Sequence, residues 1–318
     1  MNFALTGVAG YVAPRHLRAI QDTGNRLVAA VDPHDSVGVL DQYFPETAFF
    51  TEFERFDRHL EKLRRGPEGE RVHYVSVCSP NHLHDAHVRL ALRIGADAIC
   101  EKPLVLNPHN LDVLQELESE YGHRVYTMLQ LRVHPRLLQL RERIQEEPGK
   151  RYDVKLTYIT SRGKWYRYSW KGDVEKSGGV ATNIGIHFFD LLIWLFGPVL
   201  SSEVHLSEPE RIGGFLKLER ANVPWFLSID GRDLPPHIQG VQPTYRSITV
   251  DGEEIEFSGG FRDLHTRVYE RTLAGEGFGI EDARPSIELV HQVRTAVPEE
   301  PGEQVHPFIA PADVEAQV

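Results

Sequence analysis

The 318-residue sequence has only two cysteines, Cys78 and Cys100, and both lie in apolar, strand-like runs. Two such thiols cannot build a disulfide framework. They read as buried free cysteines, and a reducing, cytoplasmic setting is expected. Positive charge is also scarce: 35 Lys and Arg stand against 46 Asp and Glu, a formal net charge of -11. A chain this acidic is poorly suited to neutralising a phosphate backbone, so no nucleic-acid partner is expected. No apolar run approaches the ~20 residues of a membrane span. The first residues enter a strand with no charged stretch before an apolar one, so neither a leader nor a membrane partner is expected. The 16 histidines include no zinc-type spacing, and no metal is expected. The stretch from Asn81 to His87 is rich in histidine. On a helix, however, only Leu83, His84 and His87 come near one face.

What is present is strand–helix alternation. The length is too great for one ordinary core and comfortable for two. Apolar runs at 2–6, 26–32, 73–81, 96–103 and 124–130 read as strands. Helices are expected from Pro14, over 53–65, over 84–95 and over 107–122, the last with Asn107 as cap and Gly122 as stop. Such units form a doubly wound parallel sheet of the Rossmann type. The second half changes character. After a helix at 134–147, period-two runs at 152–162, 201–208, 213–220, 224–230, 245–252 and 254–259 read as a large open, mainly antiparallel sheet. Helices are expected at 183–197, 263–274 and 283–297, and the acidic, proline-rich tail after Pro298 is expected to be partly mobile. The expected fold is α/β. Residues 1–122 form a dinucleotide-binding domain, and residues 123–318 form an α+β domain for substrate binding and oligomerisation.

The first turn carries chemistry. Read forward from Gly7, the G-x-G-x-x-G pattern fails at Ala9 and Val12. Read back from the helix, Gly10-Tyr11-Val12-Ala13 supplies G-x-x-A, with Gly7 making the tight turn. The physical needs are a glycine leaving the strand, a backbone open to pyrophosphate and a small residue where helix meets sheet; all are met. The Tyr11 and Val12 amides are expected to face the phosphates. Asp32 ends the second strand, where a carboxylate accepts from ribose hydroxyls and repels a 2′-phosphate, which favours NAD over NADP. A strand-end Asp can instead simply cap the next helix. Ser79-Pro80-Asn81 and Glu101-Lys102-Pro103 also follow strands, at the carboxyl edge where open sheets bind ligands. A lysine there can ease loss of a substrate hydroxyl proton. A surface Glu–Lys pair is the plainer alternative.

These motifs together resemble the Gfo/Idh/MocA family of sugar dehydrogenases. The likeness rests on Gly10, Ala13 and His16; on Ser79-Pro80-Asn81 with His84; on Glu101-Lys102-Pro103; and on Gly178-Gly179 followed by Asn183-x-Gly185-x-His187-x-x-Asp190. It spans residue 4 to about residue 297. It implies that Lys102 and His187 form the catalytic pair, that Asn81 and Glu101 border the cofactor, and that the second sheet mediates oligomerisation, as a tetramer. One departure is that many members have Asp where this chain has Asn183. An amide orients a hydroxyl but cannot take its proton, which shifts the base role toward His187. Asp190, three residues on, can orient the imidazole.

Residues 162–179 interleave Arg162, Lys164, Arg167, Lys171 and Lys176 with Trp165, Tyr166, Tyr168 and Trp170. Basic groups bind phosphate and carboxylate, and aromatic faces stack on a base or sugar. An anionic ligand such as a nucleotide sugar is expected; a solvated subunit-contact loop is the alternative. Arg132 and His134 offer a second anionic contact, and Thr182 adjoins Asn183. Within the family, the stretches GVAGYVAPRH, WKGDVEKSGG and GEGFGIEDARPSIELV look most like UDP-N-acetylglucosaminuronate (UDP-GlcNAcA) 3-dehydrogenases of bacterial surface-polysaccharide synthesis. That likeness implies NAD-dependent oxidation at C3, with 2-oxoglutarate as re-oxidant in some members. A dehydrogenase of free sugars or cyclitols, or a non-catalytic NAD or sugar sensor, are the competing readings.

Overall fold

The computed structural model describes residues 1–255, 257, 263–302 and 304–309. It separates into two compact units, Met1–His134 with Phe261–Arg284, and Pro135–Gly260 with Pro285–Val318. This differs from the expected boundary after Gly122. The sixth strand and the residues after it stay with the first unit, and a helix far along the chain returns to it.

Unit 1 holds β1 (Asn2–Thr6), α1 (Ala13–Asp22), β2 (Arg26–Val31), α2 (Val39–Tyr43), β3 (Ala48–Phe50) and α3 (Phe53–Arg65). These are followed by β4 (Tyr74–Val77), α4 (His84–Arg93), β5 (Asp97–Cys100), α5 (His109–Tyr121) and β6 (Val125–Thr127). The strands form one sheet in the order β3-β2-β1-β4-β5-β6, and every pairing is parallel. β1 is buried along its whole length, as a strand covered on both faces must be. Phe56 and Leu60 place the apolar stripe of α3 inward. Asn107 Oδ1 accepts the His109 amide at 3.1 Å, and Gly122, at φ +70°, closes α5 in the left-handed conformation. Leu264, Val268, Tyr269 and Phe278 are part of this unit's core with Phe3, Leu17 and Ile20. Each such side chain contributes about 1.5–3 kcal/mol when buried.

Unit 2 holds α6 (Pro135–Glu146), β7 (Tyr152–Thr160), two short helices α7 (Trp165–Tyr168) and α8 (Val174–Ser177), and α9 (Ile186–Phe196). β8 (Val199–Ser207), β9 (Arg211–Leu218), β10 (Ala221–Ser228), β11 (Thr244–Val250) and β12 (Glu253–Glu254) follow. The sheet order is β12-β11-β7-β10-β9-β8. Only β7 with β10 is parallel among the pairings described. The strand expected over 254–259 lies partly outside the described residues, as do residues 310–318 of the tail. Eight of the eleven residues of α9 are buried, the pattern of a core helix. The helical stretch Val174–Phe196 reaches spanning length and hydropathy, although no uninterrupted apolar run does; 78% of its apolar window is buried inside the protein. The last helices are α10 (Leu264–Leu273), in unit 1, and α11 (Ile280–Thr295). Cys78 and Cys100 are free and buried.

Candidate active site

In unit 1 the chain leaves β1 at Gly7, whose amide donates to the Val31 carbonyl at 2.8 Å. Gly7 has φ +81°, and a Cβ there would stand 2.6 Å from the Cys78 carbonyl oxygen. Only glycine fits. The Gly10 amide donates to Gly7 O at 3.0 Å and the Ala13 amide to Gly10 O at 3.1 Å. The Tyr11 and Val12 amides make no backbone hydrogen bond among the described residues. They lie at the start of α1, where unsatisfied donors suit an anion. Ala13 is wholly buried, as the small residue between helix and sheet should be. Asp32 is also buried. Its Oδ2 accepts the Ala9 amide at 3.0 Å and its Oδ1 the His34 amide at 2.9 Å. A carboxylate offers about four lone-pair sites, so Asp32 can anchor the turn and still accept from ribose hydroxyls. The turn and this carboxylate therefore fit a dinucleotide.

At the sheet edge, Ser79, Asn81 and His84 are buried, Pro80 and Lys102 are partly exposed, and Glu101 is buried. His84 pins the two edge loops together: Nδ1 lies 2.7 Å from Pro103 O and Nε2 2.8 Å from Ser79 O. Burial pushes its pKa down, against the two carbonyls. His87 Nδ1 meets Ser79 Oγ at 2.8 Å and Thr6 Oγ1 at 3.1 Å. Both histidines of the Asn81–His87 stretch that share a helix face thus serve hydrogen bonds.

The surface Glu–Lys pair weighed from sequence is not what Glu101 makes. Glu101 Oε1 meets His16 Nε2 at 3.0 Å and His265 Nε2 at 3.2 Å. Its Oε2 accepts the Lys102 amide at 3.3 Å. His16 Nδ1 lies 2.7 Å from Tyr269 Oη, which lies 2.6 Å from Ser76 Oγ. Burial alone would push the Glu101 carboxyl up, but the hydrogen bonds and charge of the two imidazoles outweigh it and hold it well below the usual range. Burial lowers His16. The sequence reading missed this group entirely. Its members lie up to 253 residues apart, and α10 gave no local sign of belonging here.

Arg132 is another departure. It was expected to meet ligand, yet its guanidinium donates to Asp282 Oδ1 at 2.9 Å and to Asp282 O at 2.8 Å, and lies over Phe278. It is 8% exposed and ties the residues after β6 to the first turn of α11.

In unit 2 the glycine pair precedes a single π-turn over Ala181–Gly185, continuous with α9. Gly178 and Gly179 both have positive φ, and a Cβ on Gly178 would strike the Thr182 side chain at 2.7 Å. A Cβ on Gly185 would meet Leu227 at 2.5 Å, so glycine lets the helix lie against β10. The π-turn widens the helix at Asn183, a distortion common at functional sites. Asn183 Nδ2 donates to Tyr166 Oη at 2.7 Å. Thr182 Oγ1 is buried without a hydrogen-bond partner among the described residues. His187 is half-buried on α9 and Asp190 is buried.

The basic-aromatic stretch folds as α7, a 3-10 turn over Trp170–Gly172, and α8. Arg162, Lys164 and Trp165 are exposed, Tyr166 is buried and Trp170 half-buried. A cavity of about 760 Å³ is lined by Tyr166, Lys171 and Gly179, with the charged turns around 208–211 and 230–233. Most charges there are paired: Arg167 with Glu210 at 2.8 Å, Arg232 with Asp230 at 2.8 Å, and Arg211 with Glu208 at 2.9 Å. Lys171 has no carboxylate partner among the described residues and lies 5.6 Å from the ring centres of both Trp165 and Trp170. Burial, and then the charge of Arg162, lower its pKa.

Residues 1–129 match the Gfo/Idh/MocA oxidoreductase family, NAD-binding Rossmann fold, and residues 142–220 match that family's C-terminal alpha/beta domain. The WlbA (WbpB) dehydrogenase from Thermus thermophilus, solved with NAD and UDP-GlcNAcA, is 57% identical over 97% of this chain and 99% of its own, with a TM-score of 0.93. The same enzyme has been solved with NAD and alpha-ketoglutarate. WlbA from Bordetella pertussis shares the fold at 20% identity, covering 92% of this chain and 93% of its own, with a TM-score of 0.73. Among curated relatives, the uncharacterized oxidoreductase sll0816 of Synechocystis is 30% identical over 47% of this chain, and the match spans only 40% of the relative's own length. Two family domains in order, and a relative spanned almost end to end, make this chain a member of the Gfo/Idh/MocA oxidoreductase family.

Proposed function

We propose that this protein is an NAD-dependent dehydrogenase that oxidises the C3 hydroxyl of UDP-GlcNAcA to the 3-keto sugar. The observation that carries this reading is the 57% identity, across 97% of the chain, to a dehydrogenase solved with NAD and UDP-GlcNAcA. NAD, when bound, supplies the hydride acceptor. The Gly7, Gly10, Tyr11 and Val12 turn and Asp32 would hold it, with Ser79, Pro80, Asn81, His84 and Glu101 along its border. Lys102 and His187 are the groups proposed to take the hydroxyl proton. Asn183, already donating to Tyr166, orients the hydroxyl but holds no basic site. Asp190 steadies the His187 ring. Arg162, Lys164 and Lys171 meet diphosphate and uronate carboxylate, Trp165 and Trp170 the base or sugar face, and Tyr166 and Thr182 the sugar hydroxyls. Arg132, bonded to Asp282, borders the sugar site rather than leading its recognition.

In this reading 2-oxoglutarate returns the cofactor to its oxidised form, the enzyme works in the cytoplasm as a homotetramer, and the product feeds surface-polysaccharide synthesis. The test is incubation with NAD+ and UDP-GlcNAcA, with and without 2-oxoglutarate, following NADH absorbance and the sugar mass. A 3-keto product, with 2-hydroxyglutarate in the second arm, is expected. A protein that binds NAD but gives no product in either arm overturns the reading. Turnover of uncharged polyols that is indifferent to Arg162→Ala favours a cyclitol dehydrogenase instead.

A further inference from the structure

Glu101, His16 and His265 bring three ligating atoms within 4.8 Å of one another, and all three residues are buried. The donor set is one that transition metals accept. The contacts are already complete without an ion, and their directions can be assigned one by one. Glu101, ionised, only accepts. His16 Nε2 and His265 Nε2 must therefore both donate to Oε1. His16, kept neutral by burial, then has a bare Nδ1, so the Tyr269 hydroxyl donates to it. Burial holds Tyr269 as the phenol, and Ser76 Oγ in turn donates to its oxygen. Every polar atom in this chain of contacts has one role.

We propose that His265 and His16 are positioning residues for Lys102. Their two N–H groups lock the Glu101 carboxylate, whose second oxygen takes the Lys102 amide, while Tyr269 and Ser76 fix the His16 tautomer. Glu101 then cannot swing toward the lysine ammonium one residue away, and the backbone that carries Lys102 is held at a fixed height on the sheet edge. A buried carboxylate with any one donor removed would seek another, and a shift of Glu101 would carry the adjoining Lys102 with it. This deepens the function proposed above and rests on it for its kinetic arm.

The test compares His265→Leu, His265→Gln and Tyr269→Phe in the full-length protein. Glutamine places an N–H near the Nε2 position and leucine places none. The leucine variant is expected to lose roughly 10- to 100-fold in kcat with KM for the sugar within about twofold, as displacement of a reacting group does. Glutamine should restore kcat to within about threefold of wild type, and Tyr269→Phe should fall between them. Equal losses in the leucine and glutamine variants, or unchanged kcat in both Leu and Phe variants, overturn the proposal. If the leucine variant does not fold, the phenylalanine variant, which lacks one hydroxyl, decides by itself. A second readout needs no sugar: the rate at which trinitrobenzenesulfonate labels Lys102, followed by peptide mass spectrometry. That rate should change several-fold in His265→Leu and recover in His265→Gln. If wild type fails to oxidise UDP-GlcNAcA, the substrate reading fails and the labelling rate alone judges the network. Stoichiometric zinc, iron or manganese in the purified protein would replace the hydrogen-bond reading by a metal site.

Discussion

Gly7 in unit 1 and Gly178 in unit 2 stand at φ +81° and +79°, each shortly ahead of a helical segment, and each faces an atom 2.6–2.7 Å from where a Cβ would lie. The obstacles differ. At Gly7 it is the Cys78–Ser79 backbone, which is the neighbouring strand's exit; at Gly178 it is the Thr182 side chain. The first turn is locked by the sheet itself and the second by a side chain that can rotate. The same contrast runs through the chemistry around them. Unit 1 buries its charge and closes every contact around Glu101. The basic-aromatic segment of unit 2 leaves Arg162, Lys164 and Trp165 exposed, with pairs that cross open surface. One region is built to hold still, and the other is built to receive.

The contrast is broken most severely at Lys102. Lys102→Ala is expected to lower kcat by about 10²- to 10⁴-fold, whereas Lys171→Ala should raise KM for the nucleotide sugar by about tenfold with kcat within about twofold. Steady-state kinetics decide it, and a Lys171→Ala protein that loses kcat alone would place chemistry in the receiving region. Acid comes next. His87 in unit 1 is held down to about 4, and His306, bonded to Thr157 in unit 2, to about 3, both chiefly by burial. Both folded values lie below the unfolded value of ~6.5, so the unfolded chain binds protons first. Their contribution is full above ~6.5 and is lost as pH falls toward those values, at most about 3 and about 5 kcal/mol. Urea unfolding at several pH values should show a shallower fall for His306→Gln than for wild type. Identical slopes would mean that this ring is not held neutral.

Smaller effects separate the two turns. Gly7→Ala should cost about 3 kcal/mol and Gly178→Ala about 2 kcal/mol, while Gly24→Ala should cost only about 1 kcal/mol. Gly24 has φ +71° but open space around it. Chemical denaturation of the three variants would show whether crowding or backbone angle governs; equal losses point to the angle alone. Smallest of all is Arg167→Ala. Arg167 is exposed in its pair with Glu210, and its removal should shift stability by less than about 1 kcal/mol.

How far these regions were legible in sequence follows from how local their causes are. The first turn, Asp32 at the end of β2 and the two edge loops each leave a local signal, a strand end followed by glycine, proline or a carboxylate, and the strands and helices expected beside them are present. The mainly antiparallel second sheet was readable from period-two alternation for the same reason. The π-turn at Asn183 was not, because a one-residue widening leaves the apolar pattern of α9 almost unchanged. The Arg132–Asp282 bond and the histidines on Glu101 were invisible for a different reason. A hydrogen bond between residues 150 or 164 positions apart leaves no periodicity in either segment.

The placement of α10 has a consequence for how the protein is made. The chain completes β1 to β6 and then spends the residues after His134 on another unit before Leu264, Val268 and Tyr269 enter the first core. A ribosome at residue 134 has polymerised every strand of the first sheet but not the helix that seals it. The unit begun first therefore waits for residues that follow most of the second. Until α10 emerges, an apolar face and the ionised Glu101 await their cover, which makes the nascent chain at that stage a natural client for a chaperone.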